Sequence, residues 1–218
     1  MKLIIGNKNY SSWSLRAWLL PAFHQVPFEE IRISLSVPGT SAAIAEYSPA
    51  GKVPVLQDGD LVVWDSLAIC EYLSERYLGG GAWPADINMR ALARSCSAEM
   101  HSGFPVLRRS MPMNCRAEGR RVEMTSALRK DIARIDALWS SLRQQYCQRG
   151  PWLFGDFSIA DCMFAPVVFR FSTYAPEISE ASRSYMHTVL SHPAVSLWQQ
   201  QAREETEVID EEEKGETF

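Results

Sequence analysis

Apolar spacing changes from segment to segment in the first third of the chain. KLII at residues 2–5 is the short run of a buried strand, and Leu15, Trp18, Leu19 and Ala22 then recur at helical spacing. Pro21 lacks an amide donor and is expected to kink or shorten that helix. FEEIRISL alternates apolar and polar residues like a strand with one covered face, and VPVLQDGDLVVW reads as two strands joined by a tight turn at Asp58-Gly59. From Ser66 to Tyr77, Leu67, Ile69, Cys70, Tyr72 and Leu73 fill one broad helical face, which Gly79, Gly80, Gly81 and Pro84 bring to a stop.

Beyond that stop no strand is legible. Leu128, Ile132, Ile135, Trp139, Leu142 and Tyr146 recur every three or four residues, which marks a long amphipathic helix with its stripe turned inward. Gly103 and Pro105 should bend the helix before them, and Ser158-Ile-Ala-Asp161 ahead of MFAPVVFRF fits a capping box at a buried helix start. The three glycines are followed by no Lys-Ser or Lys-Thr, so they read as a linker and not as a phosphate loop. The organisation expected is a mixed α/β domain over 1–78, a linker over 79–87 and an all-α domain over 88–218.

Composition sets limits on this picture. With 46% hydrophobic and 22% charged residues in 218, the chain can bury a core and need not be disordered. No stretch approaches the roughly 18 apolar residues of a membrane span, and the first apolar run is too short for a signal-peptide core, so no membrane association and a cytoplasmic location are expected. The cysteines Cys70, Cys96, Cys115, Cys147 and Cys162 are odd in number and lack CxxC spacing, the pattern of reduced thiols. A net charge of −4 and the closing REETEVIDEEEKGE oppose nucleic acid as a partner, and that run reads as a frayed, solvated end. Arg108, Arg109, Arg116, Arg120 and Arg121 are either a solvated helix face or an attraction for small anions. His24, His101, His187 and His192 show no HxxxH spacing, so no metal is expected, and neither GxSxG nor GxGxxG occurs.

Candidate chemistry lies at three points in the first domain. Tyr10-Ser11-Ser12-Trp13-Ser14 falls between the first strand and the first helix, where free amides and the positive end of the helix dipole favour an anion. A thiol ionises near 8.5 in water, and a helix start with one hydroxyl donor can bring that into the neutral range. The same serines also suit an ordinary N-cap. Pro54, after Lys52 and Val53, stands before a strand, as a strand-entry proline or a cis bond. Asp65-Ser66 opens the next helix, where either residue can cap it, or the pair can bind an amino group and a carboxylate.

In this order, strand, SSWS, helix, strand, KVPVL, a glycine-turned hairpin and DSLAICEYL followed by a helical domain, the chain resembles the cytosolic glutathione transferase superfamily over nearly its whole length. The resemblance implies a thioredoxin-like α/β first domain with an all-α second domain, a cis Pro54, Val53 paired with the cysteinyl backbone of glutathione, Asp65 and Ser66 at the gamma-glutamyl end, and Lys52 near the glycine carboxylate. SSWSLR is similar to the serine-type motif of the zeta-like class, with Ser11 and Ser12 as the serine pair, Ser14 as the later serine and Arg16 as the arginine; Trp13 stands where that class has cysteine. The absence of cysteine from Tyr10 to Arg16 also sets the chain apart from members that work by thiol-disulfide exchange.

The function so implied is addition of a serine-activated glutathione thiolate to a small hydrophobic or anionic electrophile, or its isomerisation, with Ser11 the first choice of donor and Ser12 the second. His101, Phe104 and Arg108 are the candidate second-substrate contacts, with Met100, Met111, Met113 and Asn114 nearby. For His101 and the methionines a structural role is the competing reading. The resemblance also implies a homodimer. The alternative function is a non-catalytic binding or regulatory module of the same superfamily, and peroxidase or dehalogenase chemistry would use the same thiolate.

Overall fold

The computed structural model describes residues 1–217. Its first part runs β1 (Lys2–Ile5), α1 (Ser12–Phe23), β2 (Glu29–Arg32), α2 (Thr40–Ala45), β3 (Val55–Asp58), β4 (Leu61–Trp64) and α3 (Ser66–Leu78). The strand order is β2-β1-β3-β4. β1 and β2 are parallel, Ile4 opposite Ile31, whereas β1 and β3 are antiparallel, as are β3 and β4 through the Asp58–Leu61 turn. This is the α/β order that the resemblance implies. Pro21 lies inside α1, which ends two residues later, and Gly79 closes α3 in the left-handed conformation, φ +58°, that a glycine adopts without a Cβ clash.

The second part is helical: α4 (Ile87–Ser102), α5 (Pro105–Ser110), α6 (Ser126–Tyr146), α7 (Ile159–Tyr174), α8 (Glu180–Leu190) and α9 (Pro193–Glu204). Every residue of α7 except Ser172 is buried, as an all-round apolar helix requires. It packs on α1 and α4 and carries the central core, with Trp139 of α6 and Tyr185 of α8 against it. Its start is the capping box read from the sequence: Asp161 accepts from the Ser158 amide at 2.9 Å and from the Leu153 amide and the Tyr185 hydroxyl at 3.1 Å each.

Two features depart from the sequence reading. A two-residue antiparallel ribbon, β5 (Arg120–Arg121) with β6 (Glu216–Thr217), interrupts the helical part; pairs this short leave no periodic signal. The acidic closing segment is not a frayed end but a strap folded back across the first part. Glu205 accepts the amides of Lys8 at 2.7 Å and Asn9 at 3.0 Å. Glu207 pairs with Arg32 at 2.7 Å and accepts from the Ser34 hydroxyl at 2.8 Å. Glu213 accepts from the Tyr10 hydroxyl at 2.7 Å and pairs with Arg120 at 2.7 Å, while Ile209 between them is buried. Each carboxylate meets a donor roughly a hundred or more residues away in sequence, which local charge patterning does not reveal.

Lys8 locks the two parts together. Its ammonium donates to Glu30 at 2.7 Å and to Gln201, and lies 5.0 and 5.3 Å from the ring centroids of Trp18 and Trp198. Asn9 of the same loop donates to Asn114 at 3.0 Å. The loop from Gly6 to Ser11, which delivers the chain into α1, is therefore held from the helical side.

Candidate functional site

Ser11 caps α1 and is turned inward. Its hydroxyl donates to the Ser14 hydroxyl at 2.7 Å and accepts the Ser14 amide at 3.4 Å, and Ser14 in turn accepts the Gly6 amide at 3.0 Å. Ser12 is the first residue of α1, and its hydroxyl makes no hydrogen bond among the described residues. Both serines are nearly buried at the floor of a cleft. Tyr10 beside them is already committed: its hydroxyl donates to Glu213 and accepts from Arg116 at 2.8 Å.

The cleft consists of two adjoining cavities of about 470 and 440 Å³ that share Trp13, Lys52 and Val53 as lining. The first is completed by Ala50, Pro54, Trp64, Asp65 and Ser66. The Val53-Pro54 bond is cis, as the resemblance implies. Asp65 is the N-cap of α3: its carboxylate accepts the Leu67 amide at 2.9 Å, from a backbone with φ +74° that costs a non-glycine residue about 1–3 kcal/mol. Ser66 is 1% exposed and its hydroxyl has no partner among the described residues. A buried hydroxyl left unpaired at a helix start fits a carboxylate ligand.

The second cavity is walled by Tyr10, Ser11 and Ser12 on one side, Leu35, Ser36, Ile44 and Gly51 on another, Arg108 and Arg170 at depth, and Ile209, Glu211 and Glu212 of the strap. Arg170 donates to the carbonyls of Arg108 at 3.2 Å and Met111, and Arg108 donates to those of Gly103 at 3.0 Å, His101 at 3.4 Å and Met100. Both guanidiniums are thus fixed by backbone carbonyls, and neither is in an ion pair among the described residues. Burial and the neighbouring Arg108 bring Arg170 down to about 10, and burial lowers Arg108 as well; each remains a cation at neutral pH.

Arg16 lies behind Trp13. It is fully buried, none of its three guanidinium nitrogens has a hydrogen-bond partner among the described residues, and the Trp13 ring centroid is 4.4 Å away. Burial, with Arg108 and Arg170 adding like charge, pushes Arg16 well below its usual value, against the pull of Asp65. Trp13 also lies 5.0 Å from the Arg108 guanidinium and 5.2 Å from the His101 ring, edge to face. His101 Nε2 is 3.2 Å from the Asp65 carboxylate. Burial lowers the imidazole; Asp65 acts against that shift and Arg16 and Arg108 with it.

Of the sequence-derived site residues, Ser11, Ser12, Lys52, Val53, Pro54, Asp65, Ser66 and Arg108 line the cleft. His101 stands behind Asp65 and Trp13. Phe104 is buried in the central core with Met100, Met111 and Met113, and lines neither cavity. The arginine cluster divides: Arg108 reaches the cleft, Arg116 and Arg120 fasten the strap, and Arg109 is exposed. Sequence reasoning missed Arg170 and the strap residues. Arg170 had left a signal, as the lone charge in MFAPVVFRF, because a cation inside an all-apolar helix must meet acceptors or line a cavity.

The cleft thus offers two helix starts with unengaged hydroxyls, one suited to a carboxylate and one to an ionised nucleophile, with a cationic wall beyond. Family models for the glutathione S-transferase N-terminal domain and C-terminal domain match residues 10–76 and 114–199. A dichloromethane dehalogenase of Methylorubrum extorquens is 42% identical over 60 residues, covering 27% of this chain and 21% of that protein. A stringent starvation protein A homolog of Histophilus somni is 27% identical over 154 residues, 68% of each chain. A glutathione transferase homolog from Burkholderia gl BGR1, solved with bound glutathione, superposes with a TM-score of 0.70 at 25% identity, covering 94% of this chain and 98% of that one. Both halves match in sequence and the fold matches end to end, so the chain belongs to the glutathione S-transferase superfamily.

Proposed function

We propose that the protein is a glutathione transferase that keeps the glutathione thiol ionised with Ser12 and delivers it to a small electrophile bearing negative charge. The observation that carries this reading is the pair of unengaged hydroxyls, Ser12 at the start of α1 and Ser66 at the start of α3, on one continuous cleft. The gamma-glutamyl carboxylate is bound by Ser66 and the α3 amides, its amino group by Asp65, and the glycine carboxylate lies towards Lys52. Ser12 replaces Ser11 as the sulfur donor because the Ser11 hydroxyl already donates to Ser14. A hydroxyl hydrogen bond and the α1 dipole stabilise thiolate over thiol, each unit of pKa being worth about 1.4 kcal/mol. The sulfur lone pair then forms the C–S bond at the electrophilic carbon: in a substitution the leaving group departs with its bonding pair, in an addition the displaced π pair takes a proton from water, and in an isomerisation that pair re-forms the double bond after rotation as the thiolate leaves.

Arg108 and Arg170, held by carbonyls and unpaired with carboxylates, favour an electrophile with an anionic group, whether it is conjugated or isomerised. A homodimer belongs to the same proposal, supported by the exposed Leu61 and Trp64 of β4, Tyr77 of α3 and Leu92 of α4. The non-catalytic module is the second reading, favoured by the breadth of the match to the stringent starvation protein A homolog, 68% of each chain.

Titration calorimetry with glutathione separates the two. The transferase reading expects binding to the wild type and about tenfold weaker binding to Ser66→Ala, the loss of one hydrogen bond to a charged group. No detectable binding at millimolar glutathione would overturn it in favour of the module.

A further inference from the structure

The strap brings acidic residues to a cavity whose depth is cationic. Glu212 is half-buried, lines the same cavity as Arg108 and Arg170, and its carboxylate makes neither a hydrogen bond nor an ion pair among the described residues. It holds no part of the strap in position; Glu205, Glu207 and Glu213 do that. Arg170 and Glu212 act on one another electrostatically without approaching to the 4 Å of an ion pair. A carboxylate kept part-way out of water, facing a buried guanidinium across open space, offsets charge in the cavity without filling it.

We propose that Glu212 is a specificity-determining residue that limits the charge of the second substrate, so that a monoanion is accepted against Arg108 and Arg170 and a dianion is disfavoured. Three cations, Lys52, Arg108 and Arg170, and two carboxylates, Glu211 and Glu212, line this cavity. That balance leaves one positive charge unmatched at depth. The proposal rests on the reading that the electrophile occupies the cavity beyond Ser12.

The test compares succinate, its monomethyl ester and its dimethyl ester, titrated by calorimetry into the full-length wild type, Glu212→Gln and Glu212→Lys. Removing one unit of negative charge at this range should tighten monomethyl succinate about threefold and succinate about tenfold, and leave the neutral diester unchanged. Glu212→Lys should extend both shifts in the same direction. Thermal melts of all three proteins, matching within a few degrees, establish that the strap is still seated. Equal tightening of monoanion and dianion, or no change in either, overturns the proposal. Glutathione titrated into the wild type is read separately: if it does not bind, the transferase reading falls, whereas the succinate series still decides the role of Glu212.

Discussion

Taking a guanidinium out of water costs several kcal/mol unless hydrogen bonds and counter-charge replace what water supplied. Arg16 receives little of either: its three nitrogens are unpartnered among the described residues, two further arginines act on it, and Asp65 is the carboxylate opposing them. The Trp13 ring gives back about 1–2 kcal/mol. Replacing an unpaired buried cation with an apolar side chain of similar length is often neutral or stabilising. Arg16→Met is therefore expected to melt at or above the wild-type temperature without ligand, yet to raise the thiol pKa of bound glutathione. Loss of more than about 3 kcal/mol in urea titration, the cost of breaking a buried ion pair, would make Arg16 structural instead. At this scale the sequence was readable as a motif and open in detail, since it offered both Ser11 and Ser12. SSWSLR located the turn, but which serine is free depends on the Ser11–Ser14 bond, a rotamer choice that spacing does not encode. Trp13 was visible only as a departure from a pattern, and its role as the shared wall of both cavities needed the fold.

Among the elements, those whose chemistry is local were legible. The β3–β4 hairpin followed from Asp58-Gly59, the stop of α3 from Gly79, and the start of α7 from Ser158 and Asp161. The strap was not legible, because it is held by distant partners and its acidic run resembles any solvated tail. Its titration exposes the difference. The Arg32 guanidinium, with help from the Ser34 hydroxyl, holds the Glu207 carboxyl at about 2, against an ordinary 4.5. The carboxylate form is thus the one the fold prefers, so this contribution is complete above about pH 4.5 and is lost as pH falls towards 2. Hydrogen exchange of amides 205–213, corrected for the intrinsic pH dependence of exchange, should accelerate over that window in the wild type. Glu207→Gln should already exchange faster at pH 7 and change less on acidification. Protection of this segment that is the same in both proteins at every pH would mean that the Arg32 contact does not hold the strap.

For the whole molecule, the cleft exists because the serine turn, the Lys52–Ser66 wall and α7 are brought together by contacts far apart in sequence. That is why Arg170 and Glu212 escaped a reading that found Lys52, Pro54, Asp65 and Ser66. Lys8 is central to this assembly, buried between Trp18 and Trp198 with Glu30 and Gln201 on its ammonium. Lys8→Ala leaves Glu30 without its partner and removes the cation from between two rings, at an expected cost of about 3 kcal/mol. Calorimetric unfolding should then broaden as the sheet-bearing and helical parts lose their common lock. A sharp transition at the wild-type temperature would show that the lock is dispensable.

The proposed chemistry turns on the proton of a bound thiol. Ultraviolet titration of the thiolate in complexes of glutathione with the wild type, Ser11→Ala and Ser12→Ala reads it directly. The wild type is predicted to ionise about two units below free glutathione, Ser12→Ala to recover about one of those units, and Ser11→Ala to stay near the wild type while losing about 1 kcal/mol of stability with its cap. A thiol that ionises at the same pH in the wild type and in Ser12→Ala would contradict the assignment.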